Sequence, residues 1–173
     1  YHSAKLAIYN KFLSKTNNIS TLPLMRMMNV RYIISPQVIN HPALKQVFTD
    51  KMQTNSGKIQ IWIYRVANSL PRAWFVDRVE IVNENVLWKN LLSESFDPVR
   101  TAYINDPLSE VITKGGKILE YESSIHHIKL KTISQKAGFL AISEIHYPLR
   151  WQAKIDGKPV KTIETNGVIR GIE

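Results

Sequence analysis

Cysteine is absent from the 173 residues. That excludes disulfides, thiolate metal sites and cysteine nucleophiles, and leaves the compartment open. Acids are scarce at the N-terminal end. Residues 1–58 hold eight Lys/Arg against Asp50 alone, while residues 59–173 hold fifteen against thirteen, so most of the net charge of +9 sits early in the chain. No uninterrupted apolar run reaches the ~18 residues of a membrane-spanning helix. A charged start followed by an apolar core, the mark of a signal peptide, is missing as well. Tyr1 stands where an initiator Met would, and the chain is expected to be a piece of something longer. A glycine-rich phosphate loop is also lacking, because Gly115-Gly116 reads as a turn.

What is there suits a folded domain. Hydrophobic residues make up 44% and charged residues 21%, which is ordinary globular usage and enough for a sizeable core. The length fits one large domain or two small ones. The expected boundary lies near residue 68, between a mixed α/β lobe (1–68) and a mostly β lobe (69–173), unless both form one continuous domain. A basic end fits nucleic acid, anionic lipid or an acidic polymer, or is simply a solvated surface.

Helical spacing of Tyr1, Ala4, Ile8 and Phe12 predicts a helix over 1–15, ended by Thr16-Asn17-Asn18. Pro23 suits the first turn of a short helix through Met28. Residues 30–35 read as a strand stopped by Pro36. Pro42 is expected to open a short helix through Phe48. After the turn signal Asn55-Ser56-Gly57, Ile59, Ile61 and Ile63 alternate as in a strand. Further strands are expected at 74–76, 79–82 and 101–104, with a helix over 84–95 between the last two. From Gly115 the pattern is all β, with strands at 117–122, 125–133 and 138–146. Asp156-Gly157 and Asn166-Gly167 are hairpin turns, since both central positions favour positive φ. Together they predict a three-stranded meander of 151–155, 159–165 and 168–172. The fold class is therefore α+β, with N-terminal helices packed on a mainly antiparallel β-sandwich.

Few constellations could carry chemistry. His126-His127, on a strand, would point to opposite faces and not share a metal. Glu144 and His146 share a face, but Ser143 points away, so no nucleophile–base pair forms. Asp97, Asp106 and Asp156 sit beside Pro or Gly, where carboxylates hold turns. Trp62, Trp74, Trp88 and Trp151, with Tyr147, could include a sugar-stacking platform, although core packing is the commoner role of strand aromatics. Trp151, after Tyr147-Pro148, is the one most open to exposure. The Trp-bearing strands lie apart from the basic segment, so nucleic acid is not an expected partner. No metal and no cofactor is expected.

Several stretches together resemble one family. They are Leu24-Met25-Arg26-Met27-Met28-Asn29-Val30-Arg31-Tyr32-Ile33-Ile34, then Ile63-Tyr64-Arg65 with Ser69-Leu70-Pro71-Arg72-Ala73-Trp74-Phe75-Val76, then Ser95-Phe96-Asp97-Pro98. Ser143-Glu144, Tyr147-Pro148, Trp151, Ala153, Asp156-Gly157, Asn166 and Arg170-Gly171-Ile172 close the series. In order and span these are similar to the YfhO group of bacterial multi-spanning membrane proteins, which look like glycosyltransferases using lipid-phosphate-linked sugars. The resemblance implies a non-catalytic module on the extracytoplasmic face of the cytoplasmic membrane, beside its own transmembrane region. It further implies sugar decoration of cell-envelope polymers or lipids by the parent. The family's catalytic acid is expected in a loop outside this chain, so no catalytic residue carries over. The chain departs from the family at Tyr147-Pro148-Leu149-Arg150-Trp151, where the family has Tyr-Pro-Gly-Trp. It also stops at Glu173, where the family continues through another strand, so an open sheet edge is expected there.

The candidate ligand-binding residues are Trp151, Tyr147, Arg72 and Arg170. For both arginines a salt-bridging architectural role is the first reading, and phosphate or glycan binding the second. Three functions follow: an accessory module near anionic headgroups or a lipid-linked sugar, a carbohydrate-binding β-sandwich with Trp151 or Trp74 in a groove, or a purely structural interaction domain.

Overall fold

The computed structural model describes residues 7–16 and 21–173; the expected helical positions Tyr1 and Ala4, and the stop at Asn17-Asn18, lie outside them. Helix α1 (Ala7–Lys15) buries Phe12, and Thr16 Oγ1 closes its end on the Phe12 carbonyl at 3.1 Å. Nine residues are too few for a stable helix alone, so packing holds it. Helix α2 (Leu22–Met27) has proline in its first turn and buries Leu22, Leu24 and Met27. Asn29, at φ 56°, turns the chain out of the helix, and its side-chain amide donates to the Leu70 carbonyl.

Strands β1 (Tyr32–Ser35), β2 (Leu44–Thr54) and β3 (Gly57–Val66) form an antiparallel sheet in the order β1-β3-β2. The helix expected over Pro42–Phe48 is a strand instead. β2 is largely exposed and polar, with no clean two-residue period, and a bulge between Gln46 and Phe48 shifts its register. Pairing with the isoleucine-rich β3 decides its conformation, which local propensity does not show. Tyr64 lies in the small core beneath this sheet, with Leu22, Leu44 and Val66. Its hydroxyl accepts the Ile39 N–H at 2.9 Å.

Strand β4 (Ala73–Phe75) belongs to a second sheet. Next, β5 (Arg78–Ile81), helix α3 (Glu84–Leu91) and β6 (Thr101–Ile104) make a β-α-β unit whose two strands pair in parallel. Asn83 caps α3 by accepting the Val86 N–H at 3.1 Å. The helix ends at Leu91 rather than continuing to Ser95, and Asp97 Oδ1 accepts the Val99 N–H in the following turn. The hairpin of β7 (Lys117–Ser123) and β8 (Ile128–Ile133) comes next, then β9 (Leu140–Ile145). His126 and His127 sit in the β7–β8 turn and not on a strand. Both are exposed, and His127 Nδ1 lies 2.8 Å from Ser124 Oγ.

The closing segment departs most from expectation. β10 (Ala153–Ile155) and β11 (Lys158–Val160) form an isolated hairpin, while β12 (Ile163–Thr165) and β13 (Ile169–Ile172) join another sheet, in the order β12-β13-β9-β4. The expected meander is thus cut at Lys161-Thr162. Both turns hold as read: Asp156 and Gly157 take φ 50° and 81°, Asn166 and Gly167 φ 50° and 68°. The last strand, β13, is no open edge, because β12 and β9 flank it.

Alternation along this four-stranded sheet makes two cores. Trp74, Val76, Phe139, Ala141 and Ile169 face one side, where Phe12, Leu24, Met27, Leu91 and Ile104 meet them. Ala73, Leu140 and Ile142 face the other, where Ile118, Tyr121, Ile128 and Leu130 of the β7–β8 hairpin cover them. The α+β class is observed, with sheets that are antiparallel apart from β5–β6. Its layering is local: helices and β6 on one face of a central sheet, a hairpin on the other. Among the described residues no helix is long and apolar enough to cross a membrane.

Candidate functional site

A bulge in β9 builds the site. Arg170 pairs with Ile142 and Ile169 with Ile145, so Ser143 and Glu144 are extra residues on the β9 side. Bulges re-aim side chains. Here Glu144 Oε1 meets Arg72 Nη1 at 3.3 Å, and the same Nη1 reaches the Ser143 carbonyl at 3.4 Å. The Arg72–Glu144 pair is half-exposed, so it fixes geometry more than it stabilises.

Arg170 is only 6% exposed. Its Nε donates to the Ile145 carbonyl at 3.1 Å, and its guanidinium stacks 4.3 Å from the centre of the Trp151 ring. Burial pushes this group below its ordinary value, and the Glu144 carboxylate acts against that. A buried cation needs such partners. Arg72 and Arg170 are therefore both engaged within the protein: Glu144 pairs with Arg72 and acts on Arg170 through space.

Tyr147 contributes its backbone. Its carbonyl accepts the N–H groups of Arg150 and Trp151, both at 3.2 Å, so the segment closes as a helical turn without a glycine. That turn sets Trp151, half-buried, against the wall of a cleft of about 500 Å³. Asp106, His146, Gln152, Lys154, Lys161 and Thr162 supply its polar lining. Arg170 backs the indole without lining the cleft. Asp106 and Lys161 are ion-paired at 3.1 Å, and His146 Nε2 lies 3.4 Å from the Thr162 carbonyl.

The other tryptophans serve packing. Trp74 is 7% exposed and its Nε1 donates to the Pro98 carbonyl at 2.9 Å, which removes it as a groove residue. Trp88 packs against the main core and Trp62 against the small core of the β1-β3-β2 sheet. Ser143 Oγ is buried without a hydrogen-bond partner, and His146 faces Thr162, so the two do not meet. Glu144 and His146 likewise have separate partners. Among the described residues, no three His, Asp or Glu are grouped to hold a metal ion.

Sequence reasoning reached Trp151 and its neighbours and missed the opposite wall. Asp106 read only as a turn residue, and Lys161 as part of a strand. Nothing local announces a pair 55 positions apart.

His146 gives the site a pH dependence. Burial lowers its affinity for a proton; Arg170 and Lys161 act in the same direction, and the Thr162 carbonyl and Asp106 oppose. The unfolded chain then binds the proton more readily, near pH 6.5. Stability is expected to be full above about pH 6.5 and to fall as the pH drops through the lower folded value. Thermal melts of the protein and of His146→Gln between pH 7.5 and 5 measure this; parallel curves for the two would remove His146 as the cause.

Comparison with known proteins found no matching family model, no similar curated protein and no similar solved structure.

Proposed function

We propose that this chain is a non-catalytic module that holds a glycan in the cleft beside Trp151. One observation carries the reading: an indole backed on one side by a buried guanidinium lines, with its own surface, a cleft of about 500 Å³ rimmed by hydrogen-bonding side chains. An aromatic platform with a few polar groups is what a sugar ring requires, since its C–H face stacks while its hydroxyls take hydrogen bonds. The stacked Arg170 supports this platform, while Arg72 is held by Glu144 away from it.

The wider setting is an accessory domain on the extracytoplasmic face of a membrane-bound glycosyl-transfer protein. It rests on the ordered resemblance to the YfhO group, from Leu24 through Ile172. The chemistry would then belong to the parent, with this module holding acceptor or lipid-linked sugar nearby. Reading the gene upstream of Tyr1 tests the setting: repeated apolar spans of about 20 residues support it, and a hydrophilic upstream sequence ends it.

The glycan reading has its own test. Titration with envelope-type oligosaccharides should shift tryptophan fluorescence, and Trp151→Ala should lower affinity by at least about tenfold, the usual scale for an aromatic anchor. Trp151→Phe should retain part of it. No spectral change and no heat of binding would leave the chain as an interaction domain without a sugar ligand.

A further inference from the structure

A second cavity, of about 280 Å³, lies where α1 and α3 meet β6 and β12. It shares no lining residue with the cleft at Trp151. Its size is at the lower end for small-molecule sites. Helix α3 lines it with Leu87 and Trp88, and β6 with Tyr103. Gly167 lets the helix come this close, because a Cβ there would lie 3.3 Å from both the Leu87 and the Trp88 side chains. Trp88 also packs on the main core. Its Nε1 is buried, so the indole surface met by the cavity is ring carbon.

The charges are unevenly matched. Lys11, Glu84 and Glu164 are the charged side chains of the lining. Lys11 of α1 and Glu84 of α3 form an ion pair at the exposed rim, so their charges offset one another. Glu164 of β12 is half-buried. Among the described residues its carboxylate has no hydrogen bond and no salt bridge. Register sets Arg170 opposite it on β13, but that guanidinium is committed to the Ile145 carbonyl and the Trp151 ring. Burial and the nearby Asp106 hold the Glu164 carboxyl above its ordinary value, with Lys11 opposing. An unpaired carboxylate drawn partly out of water is costly, and in a cavity it marks a binding position. The cavity thus keeps a residual negative charge in a chain whose net charge is +9.

That charge selects the ligand. An anion would be repelled by Glu164, and a neutral polyol would leave the carboxylate uncompensated. A metal ion needs several oxygen or nitrogen ligands, and among the described residues no three His, Asp or Glu are grouped to supply them. An organic ammonium ion answers both halves of the lining. Its charge meets the carboxylate, and the carbons on its nitrogen meet aromatic rings, whose faces attract cations.

We infer that this cavity binds a small organic ammonium ion, with Glu164 as its counter-ion and Trp88 and Tyr103 as its aromatic wall. The inference does not need the cleft at Trp151 to bind sugar.

NMR titration with choline, and with ethanolamine as the smaller ammonium, tests it through the indole N–H signals. The Trp88 signal is the one missing from Trp88→Phe. Choline should shift it saturably, and the neutral isostere of choline, with carbon in place of the ammonium nitrogen, should leave it in place at the same concentration. Glu164→Gln keeps the shape and removes the charge, and should weaken choline binding by at least about tenfold. Its melting temperature should be unchanged or higher, which excludes unfolding as the cause. Trp151→Ala should bind choline as the wild type does, so a failed sugar titration at Trp151 and a failure here are read separately. No saturable shift from either ammonium, an equal response to the neutral isostere, or wild-type affinity in Glu164→Gln would overturn the inference. So would loss of the choline response in Trp151→Ala.

Discussion

Replacing Gly171 with alanine should destabilise the protein by about 3 kcal/mol, the upper end for overpacking a filled core. Gly171 lies in β13, paired with Ile163 on one side and Ala141 on the other. A Cβ built there would fall on the edge of the Phe139 ring and on Thr165 Oγ1. Neither can move aside. Phe139 and Thr165 are fully buried, and Phe139 is packed into the main core with Trp74 and Ile169. The strand cannot retreat either, because it is held by ladders on both edges. Urea unfolding measures the effect, with a lower midpoint at unchanged slope. Phe139→Leu in the same chain should recover part of the loss, since the two positions share one volume. A loss below about 0.5 kcal/mol, the size of an ordinary surface change, would show that the sheet has room the structure does not display.

Asn166→Ala should cost about as much by a different route. Asn166 is fully buried and sits at φ 50°. Its Oδ1 accepts the Tyr103 N–H at 2.8 Å, and its own N–H donates to the Tyr103 carbonyl at 2.8 Å. One residue therefore makes a hairpin turn and ties it to β6. Alanine leaves the Tyr103 N–H without a partner, worth ~1–3 kcal/mol when buried, and adds ~1–2 kcal/mol of left-handed backbone strain. Asn166→Gly separates the two, because glycine keeps the conformation and loses only the side-chain bonds, to the Tyr103 N–H and to Met27 Sδ. The glycine variant should be the more stable by about 1 kcal/mol. Equal midpoints would remove the strain component, and a neutral alanine variant would remove both.

These two residues mark where the sequence could be read and where it could not. Asn166-Gly167 was legible as a turn, because two successive positive φ values demand that pair. The bond from Asn166 to Tyr103 was not, since nothing near residue 103 announces a partner 63 positions later. Apolar alternation found β3, and apolar richness found β9. It failed for β2, whose conformation comes from pairing with β3 and not from its own mixed sequence. It also ran β11 and β12 together. Lys161-Thr162 looks like the middle of a strand, and only the capture of Lys161 by Asp106 shows that the chain changes sheets there. Strand-like stretches at 79–82 and 101–104 were expected, but their parallel pairing was not, because direction is set by the α3 crossover. At the site, Trp151 and Arg170 were each singled out from the sequence. That they stack on one another, with Glu144 nearby paired to Arg72, depends on a bulge that no residue type signals.

The placement of β13 inside its sheet has a consequence for how the chain is made. Synthesis runs from the N-terminus, and β4, β9 and β12 all leave the ribosome before β13 does. Until residues 169–172 emerge, β9 and β12 have no strand between them. The main core then lacks Ile169, and β9 presents an unpaired edge, the form of backbone most prone to pair with another chain. A nascent chain paused just short of Ile169 is thus the most aggregation-prone form of this protein. The β1-β3-β2 sheet and its small core are complete once Val66 has emerged, whereas Phe12, Leu24 and Met27 wait with the main core for Ile169.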